Sequence, residues 1–482
     1  MSTLELAALS GGRVDVAADR VEDLRAGVRG SILAADDAGY DQARSVWNAM
    51  IDKRPGLIVR CAGAADVLRA VRFARTHGLL IAVKGAGHNI AGSAVCDGGL
   101  MIDLSPMKSV HVDPWNRTVR VEPGVTLGEM DREAQAFGLA TPTGINSTTG
   151  VAGLALGGGF GWLSRSLGYT IDNLISADVV TAEGELVRAS AEENEDLFWG
   201  LRGGGGNLGI VTSFAFRLHP VGPEVLAGLI VYPFDQASDA LRQYRSFTAS
   251  APDPLTVWAV LRKAPPLPFL PPEVHGREVV VFALLYAGNV EEGRRAVEPM
   301  RGFGTAVGEH VGPMPFAAWQ AAFDPLLTPG ARNYWKSHDF SDLSDGALQL
   351  IIDYAGKLPS PECEIFIAHL DGAAGRVAPD AMAYPHRNAR YILNVHGRWR
   401  DPGEDSACIG WARSFFEATA PHATGGVYVN FMTADEQDRV RAAYGSNYAR
   451  LAALKAKYDP DNLFQVNLNV RPATESAGEP AR

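Results

Sequence analysis

One histidine stands inside a glycine-rich stretch, VKGAGHNIAG (residues 83–92), directly after an apolar run. Glycine lets the backbone approach a ligand without interference from a Cβ atom, and backbone amides in such loops bind phosphate groups. An imidazole nitrogen can also act as a nucleophile. His88 therefore has two interpretations: a loop histidine that hydrogen-bonds its own turn, or a side chain that bonds a cofactor. The neighbouring glycines favour the second.

Two further glycine-rich segments follow, GINSTTGVAGLALGGGFG (144–161) and RGGGGNLGIV (202–211). Gly204, Gly206 and Gly209 match G-x-G-x-x-G, but a predicted helix precedes them and a predicted strand follows. This order is the reverse of the dinucleotide-binding fingerprint. The sequence has no complete P-loop, HExxH or GxSxG motif, so we predict no metal site and no serine hydrolase. Three such loops together predict a phosphorylated cofactor bound outside a Rossmann fold.

Composition and charge narrow the class of protein. The chain has 482 residues, a net charge of −11 and 46% hydrophobic residues, which is typical of a soluble protein of two or more domains. It has no Lys/Arg-rich run for nucleic acid and no apolar run long enough for a membrane span. The four cysteines are widely spaced and the first residues do not resemble a signal peptide, so we expect a cytoplasmic protein. Nothing in the sequence specifies an oligomeric state.

The elements around the first loop are predicted from hydrophobic periodicity. A strand at 57–61, a helix at 64–78 and a strand at 79–84 form a βαβ unit. Hairpins are expected at 109–122 and 176–190, and capping boxes at Thr126/Glu129 and Ser190/Glu193. The amino-acid composition changes near residue 219, where glycine clusters become rare and Pro-rich breaks appear. We therefore place a domain boundary there.

Four segments carry a family resemblance. They are RPGLIVRCAGAADVLRAVRFARTHGLLIAVKGAGHNIAG (54–92), GVAGLALGGGFGWLSRSLGYTIDNL (150–174), EDLFWGLRGGGGNLGIVTSF (195–214) and YDPDNLFQVNLNV (458–470). Together they resemble the berberine-bridge-enzyme-like oxidases of the vanillyl-alcohol-oxidase superfamily, and most of all its bacterial members with a single covalent flavin link. The resemblance implies an α+β, PCMH-type FAD-binding fold in two parts, 1–218 and 424–482. A substrate domain of antiparallel sheet flanked by helices, 219–423, is expected between them.

The resemblance also implies roles for single residues. His88 matches the histidine that bonds the flavin 8α-methyl group, and Asn146 stands where many members have a second linking cysteine. FAD is therefore expected to be covalent through His88 only. Thr149 matches a position that governs oxygen access to the flavin. The other cofactor contacts implied are Gly85, Ala86, Gly87 and Asn89 at the pyrophosphate, Gly150, Gly153, Gly158, Gly159 and Gly161 in the second loop, Ile210 and Val211 near the adenine, and Asn467 and Asn469 on a C-terminal strand near the isoalloxazine.

Hydride transfer needs a group that takes the substrate's hydroxyl or amine proton, unless the substrate is already deprotonated. The candidates are Tyr428 and Asn430, predicted on one face of a strand, and Tyr391 and Asn394 on a neighbouring strand pattern. Each tyrosine has a structural alternative, a buried phenol with a hydrogen-bonded hydroxyl.

Three departures from plant and sugar-oxidising members bear on the substrate. Phe431 and Ile392 stand where plant members have a tyrosine and a glutamate base, and Ile90 stands where sugar oxidases often have a tyrosine. A carbohydrate substrate is therefore disfavoured.

These observations predict an FAD-dependent oxidase acting on a C–OH or C–N bond of a small, fairly apolar metabolite, with O2 as the second substrate and H2O2 as the product. The alternatives are a flavin-dependent oxygenase or dehydrogenase of secondary metabolism, and a flavin carrier or sensor without turnover.

Overall fold

The computed structural model describes residues 3–474 of the chain. The first two and last eight residues of the predicted N- and C-terminal parts lie outside it. The strands are β1 Thr3–Ala7, β2 Arg13–Ala17, β3 Ser31–Leu33, β4 Leu57–Arg60, β5 Ile81–Lys84, β6 Leu100–Asp103, β7 Val110–Asp113, β8 Thr118–Val121, β9 Leu139–Ala140, β10 Leu174–Val180, β11 Leu186–Ser190, β12 Ile210–Arg217, β13 His219–Pro220, β14 Glu224–Pro233, β15 Leu255–Lys263, β16 Glu278–Tyr286, β17 Gly308–Pro315, β18 Arg332–Phe340, β19 Glu364–His369 and β20 Tyr391–Trp399. The α-helices are α1 Ala18–Gly27, α2 Tyr40–Arg44, α3 Ala64–Thr76, α4 Leu127–Gln135, α5 Val151–Leu156, α6 Ser164–Leu167, α7 Glu195–Leu201, α8 Ala237–Thr248, α9 Val290–Val297, α10 Phe316–Gln320, α11 Asp345–Ala355, α12 Asp405–Thr419, α13 Val440–Tyr444 and α14 Tyr448–Tyr458.

The N-terminal half builds two larger sheets, besides the two-stranded pairs β1-β2 and β9-β13. In the four-stranded sheet, with order β3-β4-β6-β5, both β4 and β5 run parallel to β6, which lies between them. The predicted βαβ unit is confirmed. The five-stranded sheet has the order β11-β10-β12-β8-β7 and contains both predicted hairpins.

One of the two predicted capping boxes is correct. Thr126 and Glu129 form the capping box of α4. The Ser190 box is wrong, because α7 begins only at Glu195, after Asn194. The Ser190 hydroxyl instead accepts the backbone N–H of Glu193 and closes the turn before that helix.

The middle of the chain forms a seven-stranded antiparallel sheet with the order β17-β14-β16-β15-β19-β20-β18. One face packs against α8, α11 and α12 in a large apolar core. Because side chains alternate between the faces of a strand, β20 turns Tyr391, Leu393 and Val395 toward these helices. The intervening residues of β20 face the other way, toward the N-terminal half.

The C-terminal segment returns to the N-terminal half, where Val429, Val440 and Leu451 share a core with α7 and β12. Two strands predicted here are wrong. Val429–Phe431 is one turn of 3-10 helix, and residues 465–470 have no regular secondary structure. The domain limits at 218/219 and 423/424 stay predictions. None of the described helices is long and apolar enough to cross a lipid bilayer.

A buried ion pair fastens the C-terminal segment. Lys455 and Asp459 are both fully buried; the Lys455 ammonium also donates to the carbonyls of Asn207 and Phe464, and Asp459 accepts the backbone N–H of Leu463. The pair therefore links α14 to the third glycine-rich loop.

We predict that Lys455→Met lowers the free energy of unfolding by about 3–5 kcal/mol, because it leaves the Asp459 carboxylate buried without its partner. Lys457→Met is the matched control, since Lys457 is 58% exposed in its pair with Asp196. This change should cost less than about 1 kcal/mol. Urea unfolding measures both, and equal losses would contradict the prediction.

Candidate active site

The three glycine-rich loops meet at one cavity of about 390 Å³. Its opposite wall is the face of the seven-stranded sheet that α8, α11 and α12 leave uncovered. Leu229, Val260, Val281 and Phe366, from four of its strands, line this wall. The cavity thus has a wall of loop backbone on one side and a mostly apolar wall of strand side chains on the other.

His88 lies at the junction of the two walls. Its Nε2 atom is buried and has no hydrogen-bond partner among residues 3–474. Burial lowers the pKa of His88 to about 4, with a smaller contribution from the charge of Arg398. The ring is therefore neutral at neutral pH. It stacks on Trp47 with ring centroids 4.4 Å apart, which fixes the plane of the imidazole.

The residues Trp47 and Asn48, which sequence reasoning missed, join the His88 loop to the large sheet. The Trp47 backbone N–H donates to the Gly87 carbonyl at 3.0 Å. The Asn48 Nδ2 donates to the carbonyls of Ile90 and Asn333, while its Oδ1 accepts the Asn333 N–H at 3.0 Å. The buried side-chain amide of Asn48 therefore connects the His88 loop to β18.

Most of the predicted site residues line the cavity. They are Gly85, Ala86, Gly87, His88, Asn89, Asn146, Thr149, Gly150, Gly153, Ile210, Val211, Tyr428, Asn430 and Asn467. Asn146 Nδ2 and Asn467 Oδ1 are buried and, like His88 Nε2, lack a partner within the described chain. The indole Nε1 atoms of Trp162, Trp258 and Trp335, which also line the cavity, are unpaired as well, which makes six within the described chain. Unpaired buried polar atoms are rare in a native protein, so this set fits polar ligand groups in the cavity, and the atoms of His88, Asn146 and Asn467 fit a polar cofactor. The glycine loops fit its phosphate groups.

Gly158, Gly159 and Gly161 do not line the cavity, contrary to the prediction. A Cβ atom on Gly159 would lie 2.2 Å from Thr170 Oγ1, and one on Gly161 would lie 1.9 Å from the Thr143 carbonyl oxygen. Gly159 and Gly161 are therefore needed because the loop packs tightly against the protein itself, whereas a Cβ atom on Gly158 would meet nothing closer than 3.4 Å.

Three other predicted residues also lie away from the cavity: Tyr391, Asn394 and Asn469. The Tyr391 hydroxyl pairs with Thr248 Oγ1 at 2.6 Å, on the helix side of the sheet. Asn394 is on the opposite face, because residues three apart in a strand point in opposite directions. It is fully buried on the cavity side of the sheet, in register with Phe366, but does not itself line the cavity. Tyr391 is therefore a structural phenol, and the geometry does not support catalytic roles for Tyr391 and Asn394.

Tyr428 is placed to donate a hydrogen bond. Its hydroxyl oxygen accepts the Gly159 N–H at 3.1 Å and the Asn430 Nδ2–H at 2.9 Å. Burial raises the pKa of Tyr428 to about 12, although these two hydrogen bonds act in the opposite direction. The phenol is therefore protonated at neutral pH, so Tyr428 can hold a ligand oxygen or nitrogen but is a poor base.

The strand wall of the cavity also carries the Arg262–Glu364 ion pair, which the sequence analysis did not predict. Arg262 Nη1 donates to Glu364 Oε2 at 2.7 Å, and His396 Nδ1 lies 3.2 Å from Glu364 Oε1. Burial alone would raise the pKa of Glu364, but Arg262 and His396 bring it to about 2. The sequence of β20 already indicated a polar face, because polar residues 394, 396 and 398 alternate with Val395 and Gly397. Such a period of two predicts one polar face.

Two glycine substitutions separate structural from cavity-lining glycines. Gly161→Ala should lower the free energy of unfolding by roughly 3 kcal/mol, because the Thr143 backbone cannot move aside. Gly153 is the control: it lies within α5 and faces the cavity, and a Cβ atom added there would meet nothing within 4 Å. Gly153→Ala should leave the flavin-free chain as stable as before or up to about 1 kcal/mol more stable. Urea unfolding of flavin-free protein tests both, and a destabilised Gly153→Ala would contradict the assignment.

Comparison with known proteins agrees with this site. The FAD binding domain family matches residues 55–190, and the family described as berberine and berberine like matches residues 427–471. An FAD-linked oxidoreductase of Dictyostelium discoideum is 32% identical, covering 92% of this chain and 95% of its own. The (R)-6-hydroxynicotine oxidase of Paenarthrobacter nicotinovorans is 29% identical, over 92% and 97%.

The fold comparison agrees as well. The crystal structure of 6-hydroxy-D-nicotine oxidase from Arthrobacter nicotinovorans superposes with a TM-score of 0.84 and 27% identity, covering 92% of this chain and 98% of that one. The predicted α+β, PCMH-type fold and the family resemblance are thereby confirmed. The chain belongs to the berberine-bridge-enzyme-like family of FAD-linked oxidoreductases.

Proposed function

We propose that this protein is an oxidase of a C–OH or C–N group in a small, largely apolar metabolite, and that it takes hydride from the carbon of that group. Its FAD would be bonded to His88, and O2 would restore the oxidised cofactor and yield H2O2. FAD, when bound, supplies the hydride acceptor. The observation that carries the proposal is His88 Nε2, a buried and unpartnered nitrogen, within residues 3–474, in a glycine loop that borders the cavity.

The chemistry of His88 supports a covalent bond. A neutral imidazole has a free electron pair, whereas a protonated one does not, and burial keeps His88 neutral by lowering its pKa. Stacking on Trp47 holds the ring in one orientation. Asn146 has no thiol for a second bond, so His88 is the single attachment in this proposal.

The loops divide the remaining cofactor contacts. The amides of residues 85–89 would hold the pyrophosphate, Ile210 and Val211 would border the adenine half, and Asn467 would contact the flavin ring. Thr149 leaves room for O2, because its side chain is small. All of these residues line the same cavity.

The opposite wall would hold the organic substrate. Its apolar side chains favour an apolar body, and the Tyr428 phenol would donate a hydrogen bond to the reacting oxygen or nitrogen. Asn430 keeps that phenol in place through its Nδ2. Tyr428 therefore orients the substrate and keeps its own proton. The hydroxyl proton of an alcohol substrate would pass to solvent water, and an amine substrate would react as the neutral amine and need no base.

Replacing His88 tests the attachment. In wild-type protein, flavin should remain with the polypeptide through acid precipitation, and His88→Ala should release it all. His111→Ala is the control, since His111 lies on the exposed side of β7. Absorbance of the washed pellet gives the result; flavin retained by His88→Ala would refute His88 as the attachment site.

Turnover distinguishes the oxidase from a dehydrogenase or a carrier. Under anaerobic conditions, a panel of aryl and alkyl alcohols and amines should include donors that bleach the flavin absorbance. Air should then restore the colour and form H2O2 in proportion to the donor consumed. Bleaching without rapid reoxidation by O2 would indicate a dehydrogenase, and the absence of bleaching with every donor would indicate a carrier.

A further inference from the structure

Four side chains form one row across the cavity wall. Arg262 of β15 pairs in register with Glu364 of β19, Glu364 with His396 of β20, and His396 with Trp335 of β18. Paired residues share a face of the sheet, and all four line the cavity. This row is the polar part of a wall that is otherwise apolar.

The surroundings of the row carry excess positive charge. Arg398, two residues after His396 on β20, donates to Glu362 at 2.9 Å beside the row, and Arg400 donates to the same carboxylate at 2.7 Å. Burial lowers the pKa of His396, so this residue is neutral at neutral pH. Together with Arg262 and Glu364, three arginines thus face two glutamates, a formal charge of +1. Arg400 is 55% exposed and contributes least, but the net charge favours an anion over an ammonium group in this part of the cavity.

Arg262 has donor capacity left over. Its Nη1 serves Glu364, and its Nε donates to the Lys263 carbonyl at 3.3 Å. Its Nη2 makes no hydrogen bond within residues 3–474. A guanidinium with two free N–H groups in a cavity of low polarity is well suited to a carboxylate oxygen.

Aromatic rings border the neighbouring row. Phe366, two residues after Glu364 on β19, stacks on Trp258 with planes 7° apart, and Phe431 meets it edge-on with ring centroids 5.8 Å apart. Successive residues on one face of a strand are roughly 7 Å apart, which is about the length of a benzoate ion. A flat ring against Phe366 therefore brings a carboxylate substituent to Arg262.

We propose that the substrate is an aromatic alcohol or amine that also carries a carboxylate, with its ring against Phe366 and its carboxylate on Arg262 Nη2. This inference rests on the proposed function, since it describes the donor for that reaction. It narrows the substrate from a small apolar metabolite to an aromatic acid.

Binding of benzoate, compared with its neutral analogue benzamide, tests the proposal without the natural substrate. Calorimetric titration of the flavin-loaded protein should show benzoate binding at least tenfold more tightly than benzamide. Arg262→Gln should weaken benzoate binding at least tenfold and leave benzamide binding unchanged. Arg301→Gln, on an exposed arginine of the outer surface, should change neither.

A second variant controls for the folded state. Arg262→Gln leaves the Glu364 carboxylate without its main partner, whereas Arg262→Gln/Glu364→Gln removes both charges. The double variant should also lose the preference for benzoate. The proposal is overturned if wild-type protein does not bind benzoate or binds benzamide equally well, or if the folded double variant keeps the preference. A different result would show that the proposed function is wrong: no donor would reduce the flavin, or no flavin would survive acid precipitation, while benzoate affinity would be unaffected.

Discussion

One buried amide joins the two walls of the cavity. Asn48 is 2% exposed and uses both ends of its side chain to connect the His88 loop with β18. A buried amide that loses its partners costs free energy, so this connection holds the two walls together, as do the hydrogen bonds from Ser147 to Asp324 and from Gln320 to the Gly144 carbonyl. Trp47, next in the chain, adds the ring on which His88 stacks. The loop that would hold the cofactor and the sheet that would hold the substrate are therefore held in register by adjacent residues.

The two walls supply different chemistry because they come from different kinds of structure. Loop backbone offers N–H groups at close range, which suits phosphate, while the strand face offers side chains in rows, which suits an organic molecule. The helices cover only one face of the seven-stranded sheet, so the other face is available for the cavity. On that face the Arg262 row is set by strand register, and Tyr428 comes from the returning C-terminal segment. Each wall is completed only when distant parts of the chain meet.

Local patterns predicted the local structure well. The βαβ unit, both hairpins and the glycine loop with His88 follow from periodicity and glycine spacing within a few tens of residues. The alternation of QVNLNV predicted a strand that does not form. The segment is irregular, and the Asn467 side chain donates to the carbonyls of Gly206 and Phe464. Glycine spacing also could not distinguish Gly153, which faces the cavity, from Gly161, which faces the Thr143 backbone. Asn48 and Arg262 went unnoticed because their partners lie far away in the sequence.

The central claim is that His88 carries the flavin, and peptide mass spectrometry of the purified native protein tests it most directly. Trypsin cleaves after Lys84 and Lys108, so one peptide, residues 85–108, contains His88 and the rest of its loop. This peptide is expected to have gained the mass of one FAD less two hydrogens, with fragmentation assigning the gain to His88. An unmodified peptide of residues 85–108 in yellow protein, or a flavin on any other residue, would contradict it.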